Sequence, residues 1–155
     1  MTSTPEQRLA QLGLVLPPVS APRGNFDAWV LDGSTLYLSG KGSPHRDSPA
    51  LVPKVGREIS ADEARAHAHD IGLNLIATMK AALGELSRVQ RVVKVLGMVN
   101  AVPDFTGHTE VINGCSDLLV QVFGDAGRHA RSAVGVGSLP RGFAVEIEAI
   151  VSVTE

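Results

Sequence analysis

Val92-Val93-Lys94-Val95-Leu96-Gly97-Met98-Val99 is an almost unbroken apolar run between two segments of helical periodicity, and it constrains the fold more than any other feature. A run of that length and composition reads as a buried central strand. The helices on either side must then bury their apolar stripes against the sheet that contains it. Upstream, Ser60 and Glu63 have the spacing of a capping box. The helix they open runs to about Leu83, with Ala64, Ile71, Leu75, Met79 and Leu83 on one face and Gly84 as its stop. Downstream, Pro103-Asp104-Phe105-Thr106 breaks the strand. A second helix follows from about His108 to Phe123, with Val111, Leu118, Leu119, Val122 and Phe123 forming its apolar face and Gly124 and Gly127 ending it.

The rest of the chain supplies strands. Ala28-Trp29-Val30-Leu31 and Thr35-Leu36-Tyr37-Leu38 flank Asp32-Gly33, a dipeptide that favours tight hairpin turns. Two further strands are expected at about 132–137 and 143–153. Residues 41–57 hold three prolines and little periodicity, which reads as a surface loop with a short edge strand. At the amino end, Thr4-Pro5-Glu6 starts a short helix with Leu9 and Leu12 on one face, and Pro17, Pro18 and Pro22 enforce an extended stretch after it. The order strand, strand, helix, strand, helix, strand, strand predicts an α+β two-layer sandwich, with two main helices on one face of a mixed sheet. One domain over 1–155 is expected, with about 1–23 forming an amino-terminal helix and extended segment.

Composition narrows the function. At 155 residues the chain is long enough for a real core. Its formal charge of −2 lacks the basic footprint of a general nucleic-acid binder. Cys115 is alone, so neither an internal disulfide nor a zinc-site spacing is available. No leader pattern opens the chain, and no apolar run approaches the ~20 residues of a membrane span. These features lead to the expectation of a cytoplasmic protein.

Chemistry concentrates in the last third, where charges interrupt apolar strands. Arg131 starts the first of these, and Glu146 and Glu148 interrupt the second. A guanidinium grips a carboxylate through two parallel hydrogen bonds that lysine cannot reproduce. A carboxylate nearby could hold or activate a water. Blander readings stand beside these: Arg131 as the partner of a neighbouring carboxylate, and the two glutamates as solvated or paired with Arg131 or Arg141 across strands. Glu146 and Glu148 are two apart and so share one sheet face. His67 and His69 lie some 200° apart around a helix and cannot chelate one metal. His45 and His108 have no ligand partner nearby in sequence, and His129 borders either the cleft or a surface. No metal site is expected. Gly135-Val136-Gly137 lacks the further glycine and following helix of a dinucleotide fingerprint.

Arg131-Ser132-Ala133-Val134, then Leu139-Pro140, then Val145-Glu146-Ile147-Glu148-Ala149-Ile150 resembles the carboxyl-terminal signature of the YjgF/RidA family of reactive-intermediate deaminases. The resemblance extends through Gly24-Asn25-Phe26, Leu38-Ser39-Gly40 and Val111-Ile112-Asn113. Gln7-Arg8-Leu9, the run Leu12 to Pro18 and the run Phe123 to Ser132 look like a longer branch of that family. The resemblance implies a chorismate-mutase-like fold, a homotrimer with clefts between subunits, and cofactor-free hydrolysis of enamine or imine acids. It matches Arg131 to the arginine that binds the substrate carboxylate and Glu146 to the acidic residue associated with the water. It places Asn113 in the cleft and Ser39-Gly40 at its rim. Two positions depart from it: Phe26 stands where tyrosine is frequent, and Ala133 where a cysteine is common. The rival readings are a non-catalytic module that senses a small carboxylate and an endoribonuclease. The acidic charge and 4% aromatic content disfavour the last.

Overall fold

The computed structural model describes residues 2–43 and 52–155. A short helix α1 (Pro5–Gln11) is capped by Thr4, whose Oγ1 accepts from the Gln7 N–H while the Thr4 N–H donates to Gln7 Oε1. Leu9 buries its side chain, whereas Leu12 lies past the helix and is exposed, so the expected pairing of those two on one face does not form. The hairpin is β1 (Trp29–Asp32) and β2 (Thr35–Gly42). Asp32 pairs with Thr35, so the turn is Gly33-Ser34, one residue beyond the dipeptide that signalled it, with Gly33 at φ +60°.

Helix α2 (Ala61–Leu83) opens with Ser60 Oγ accepting from the Glu63 N–H at 3.1 Å and stops at Gly84, φ +80°. Strand β3 (Val89–Asn100), helix α3 (His108–Phe123), strand β4 (Ala130–Val136) and strand β5 (Val145–Val153) complete the order. Part of the 41–57 segment, residues 44–51, lies outside the described residues. In its described part β2 continues to Gly42, and Val55 is buried and bridges Ile59 and Ala101.

The five strands form one mixed sheet in the order β1-β2-β5-β3-β4, antiparallel except for the β3–β4 pair. Helices α2 and α3 cover one face. Ile71, Leu75, Ile76 and Met79 of α2 and Ile112, Leu118 and Leu119 of α3 pack on Leu36, Leu38, Val95, Ile147, Ala149 and Val151 to form the core. The chain is an α+β two-layer sandwich of the chorismate-mutase-like type.

The other face carries no helix among the described residues. Register places Tyr37, Ile150 and Val30 on it together, with Leu96, Met98 and Val134 toward the far edge. Val30, Tyr37 and Val134 are exposed, and Leu96, Met98 and Ile150 only half-buried. Strand β3 is therefore interior to the sheet but buried on one side, which an unbroken apolar run does not reveal. No helix among the described residues is long and apolar enough to cross a membrane.

Candidate active site

Strand β4 is an edge strand, and its alternation sends Arg131, Ala133 and Gly135 to the helix side. Their partners on β3 are Val95, Gly97 and Val99, all buried under α3. Facing them, Thr109, Asn113 and Ser116 recur at i, i+4 and i+7 on α3 and so form one polar stripe along the helix. Arg131 Nη1 donates to Ser116 Oγ at 2.9 Å, and Nη2 donates to the Thr109 carbonyl at 3.2 Å. The two bonds use one N–H on each terminal nitrogen. Three of the five N–H groups of a guanidinium remain, including one on each arm of the fork. Among the described residues Arg131 has no carboxylate partner. The ion-pair reading of this arginine is therefore not met among the described residues of one chain.

Ser116 links Arg131 to His129. Ser116 Oγ lies 2.9 Å from His129 Nε2, and His129 Nδ1 lies 2.7 Å from the Gly127 carbonyl oxygen. His108 closes the other end of the strip: a Cβ on Gly135 would come within 2.7 Å of its Nε2, so the missing side chain at 135 makes room for the ring. The Phe105 ring supports His108 edge-on, with centroids 5.1 Å apart. Asn113 is half-buried within the stripe, and Ala133 is half-buried between Arg131 and Gly135. Cys115, one residue before Ser116, is fully buried, and desolvation pushes its thiol up to about 12 against the opposing charge of Arg131. It is no nucleophile.

Glu146 stands elsewhere. It pairs with Gly42 on one side and Met98 on the other, on the face away from the helices. A Cβ on Gly40 would sit 3.1 Å from Glu146 Oε2, so the glycine leaves the carboxylate its space. A Cβ on Gly42 would overlap the Phe143 ring, which packs at the same end of the strand. Burial and then the charge of Glu148 hold the Glu146 carboxyl above its ordinary value. Ser39 ties the nearby loop down, donating from Oγ to the Asp27 carbonyl at 2.6 Å and from its N–H to the Ala28 carbonyl at 3.0 Å. Phe26, exposed, projects from that loop.

The expected residues thus fall into two groups. Arg131, Ala133 and Asn113 gather on the helix side of β4. Glu146 and Gly40 meet at the β2–β5 end of the sheet, with Ser39 next to Gly40 and bonded to the loop that carries Phe26. Within one chain Arg131 and Glu146 are on opposite faces. Sequence reasoning missed Ser116 and Thr109 altogether and assigned no role to His108. The polar stripe was the signal available for Ser116; Thr109 acts through its backbone carbonyl, which no side-chain pattern marks. No group of three or more histidine, cysteine, aspartate or glutamate side chains able to hold a metal occurs among the described residues.

Residues 6–143 match the family model described as "YjgF/chorismate mutase-like, putative endoribonuclease". The chain belongs to this family. It is 42% identical over 144 residues to the protein TCP17 of Trypanosoma cruzi, an alignment spanning 92% of this chain and 90% of that one. Among solved structures, a protein of unknown function from Agrobacterium tumefaciens is 40% identical, with a TM-score of 0.85 over 97% of this chain and 92% of that chain. A "putative endoribonuclease" from Shewanella oneidensis is 32% identical, with a TM-score of 0.90 over 97% and 100% of the two chains. RidA from an Antarctic Psychrobacter is more distant, 26% identical with a TM-score of 0.58 over 87% and 94%.

Proposed function

We propose that this member of the YjgF/RidA family hydrolyses reactive enamine and imine acids, of the 2-aminoacrylate and 2-iminopropanoate type, to 2-oxo acids and ammonia. The observation that carries the reading is the Arg131 guanidinium, anchored by Ser116 and Thr109 while one N–H on each arm stays available. A planar fork held in that way suits a carboxylate. Asn113 and the Ala133 backbone would border the bound acid, and Phe26, Ser39 and Gly40 would form the opposite wall.

The chemistry asks little of the protein. 2-Aminoacrylate gains a proton at its terminal carbon and loses one from its nitrogen to become the imine. Water then adds to C2, and the carbinolamine expels ammonia as the C2 oxygen becomes a carbonyl. Atoms balance with one water consumed, and no electrons leave or enter. Clamping the carboxylate fixes C2 within reach of the water, which supplies rate by orientation. Glu146 would orient that water and take its proton. Its raised pKa brings it nearer the working pH of a general base.

Arg131 and Glu146 act in one site only if two chains contribute. A carboxylate from the uncovered sheet face of one subunit would meet the guanidinium at the β4 edge of the next. The exposed apolar face around Tyr37, Val30 and Val134 supports burial against another copy. A closed ring of such heterologous contacts, here a homotrimer, repeats the site at each junction. The net charge of −2 gives no support to RNA cleavage.

Ammonia release from freshly generated 2-aminoacrylate, wild type against Arg131→Ala, tests the reading. Acceleration by wild type alone supports it. A wild type that binds 2-oxo acids through Arg131 without accelerating hydrolysis replaces it with carboxylate sensing.

A further inference from the structure

We propose that Ser116 and His129 form a one-way hydrogen-bond relay that fixes the Arg131 guanidinium for its carboxylate. The inference rests on the reading of Arg131 as the carboxylate grip and adds two positioning residues to it.

The direction of the relay follows from what each group can do. The Gly127 carbonyl can only accept, so His129 Nδ1 carries the proton in the 2.7 Å bond between them. In the neutral ring Nε2 is then bare and must accept the Ser116 hydroxyl proton across 2.9 Å. Arginine can only donate, so the Ser116 oxygen must accept from Arg131 Nη1. Each group has one partner on each side, and all donors point from Arg131 toward Gly127. The hydroxyl, its proton committed to His129, keeps its lone pairs toward the guanidinium. Thr109 fixes the second arm. With both arms set, the remaining N–H groups are aimed before a ligand arrives, which is how preorganisation raises affinity.

The alternative protonation states break this order. A ring with its proton on Nε2 would face Gly127 with a lone pair. An imidazolium would turn Nε2–H onto the Ser116 oxygen as a second donor beside Arg131 Nη1 and leave the hydroxyl proton without an acceptor among these groups. Burial lowers the His129 pKa and outweighs the Gly127 carbonyl, which favours the imidazolium; the Arg131 charge adds to the lowering. The neutral ring with Nδ1–H is the form that satisfies every partner.

Pyruvate, a 2-oxo acid, serves as the probe for the intact full-length protein, with affinity followed by calorimetry. Ser116→Ala and His129→Leu should each weaken binding roughly tenfold, the scale of one lost hydrogen bond to a charged group. His129→Gln places an amide oxygen near the position of Nε2 and should return affinity to within about threefold of wild type, an estimate on the same scale. Because the two residues act in series, the double variant Ser116→Ala/His129→Leu should bind no more weakly than Ser116→Ala alone. Single variants of wild-type affinity, or fully additive losses, overturn the relay, provided Arg131→Ala abolishes binding. If Arg131→Ala binds normally, the carboxylate-grip reading fails instead. The relay is then decided without a ligand by the ¹⁵N imidazole spectrum at neutral pH: a proton on Nδ1 of His129 upholds it, and a proton on Nε2 sinks it.

Discussion

Glu146 owes its place to a missing atom on Gly40. A Cβ built there would lie 3.1 Å from Oε2 and 3.2 Å from Cδ of the carboxyl group. The β2–β5 register also shifts between Leu38 and Lys41, so the Ser39-Gly40 step brings the backbone beneath the glutamate. Gly40 has no positive φ, so an alanine fits the backbone and presses only on the carboxylate. Gly40→Ala should therefore lower kcat/KM for imine hydrolysis by about tenfold or more, because small misplacements of a positioned group are costly. Its unfolding free energy should change by less than about 1 kcal/mol, within the ordinary range for point variants. Parallel kinetics and urea melts check both halves, and loss of stability comparable to the loss of activity would count against a positioning role.

As the proposed base, the same carboxyl group should set a pH dependence. Burial first, and the Glu148 charge second, raise the Glu146 pKa, so the base form appears at a higher pH than for an ordinary glutamate. The acid limb of the kcat profile should lie at correspondingly higher pH. Removing the second cause with Glu148→Gln should move the limb toward lower pH while leaving its plateau within about threefold of wild type, as expected for a change in pKa rather than in orientation. A limb that stays put in Glu148→Gln would detach it from Glu146.

Much of this architecture was legible from residue pattern. Helix α3 begins and ends at the expected residues, His108 and Phe123, because its apolar face is complete and a glycine follows each signal to stop. The uncovered face was not legible. Leu96 and Met98 look like core residues in a run such as Val92–Val99, and alternation marks only which residues share a face, not whether that face is covered. Strand β4 begins two residues earlier than its apolar content suggests, since parallel pairing with β3 extends it to Ala130. That extension puts Arg131 inside the ladder, its side chain committed to the helix side. The relay was illegible for another reason: Ser116 and His129 are thirteen residues apart and meet only because α3 returns along β4.

Close helix packing should be the least tolerant feature of the chain. A Cβ on Gly114 would lie 2.1 Å from the backbone oxygen of Arg65, the contact that sets the approach of α3 to α2. Backbone cannot swing aside as a side-chain end does, so Gly114→Ala should destabilise by roughly 1–3 kcal/mol or more. Gly137→Ala meets nothing within 4 Å and should stay within about 0.5 kcal/mol of wild type. Chemical denaturation of the two variants side by side makes the comparison, and equal midpoints would refute it.

The placement of Arg131 and Glu146 on opposite faces leads to the most demanding prediction. If each site takes its guanidinium from one subunit and its carboxylate from the next, Arg131→Ala and Glu146→Gln each inactivate every site of a pure assembly. In mixed assemblies some junctions pair the intact arginine of one variant with the intact glutamate of the other. Random equal mixing gives each junction a one-half chance of an intact partner on either side. Activity should therefore return to about one quarter of the wild-type level in the unselected mixture, and to about one third in three-membered rings selected to hold both variants, where one junction of the three is intact. Co-expression of the two variants under separate tags, purified through both, measures this directly. Mixed assemblies that remain as inactive as their parents would show that both groups must come from one chain, and the shared-site mechanism would fall with them.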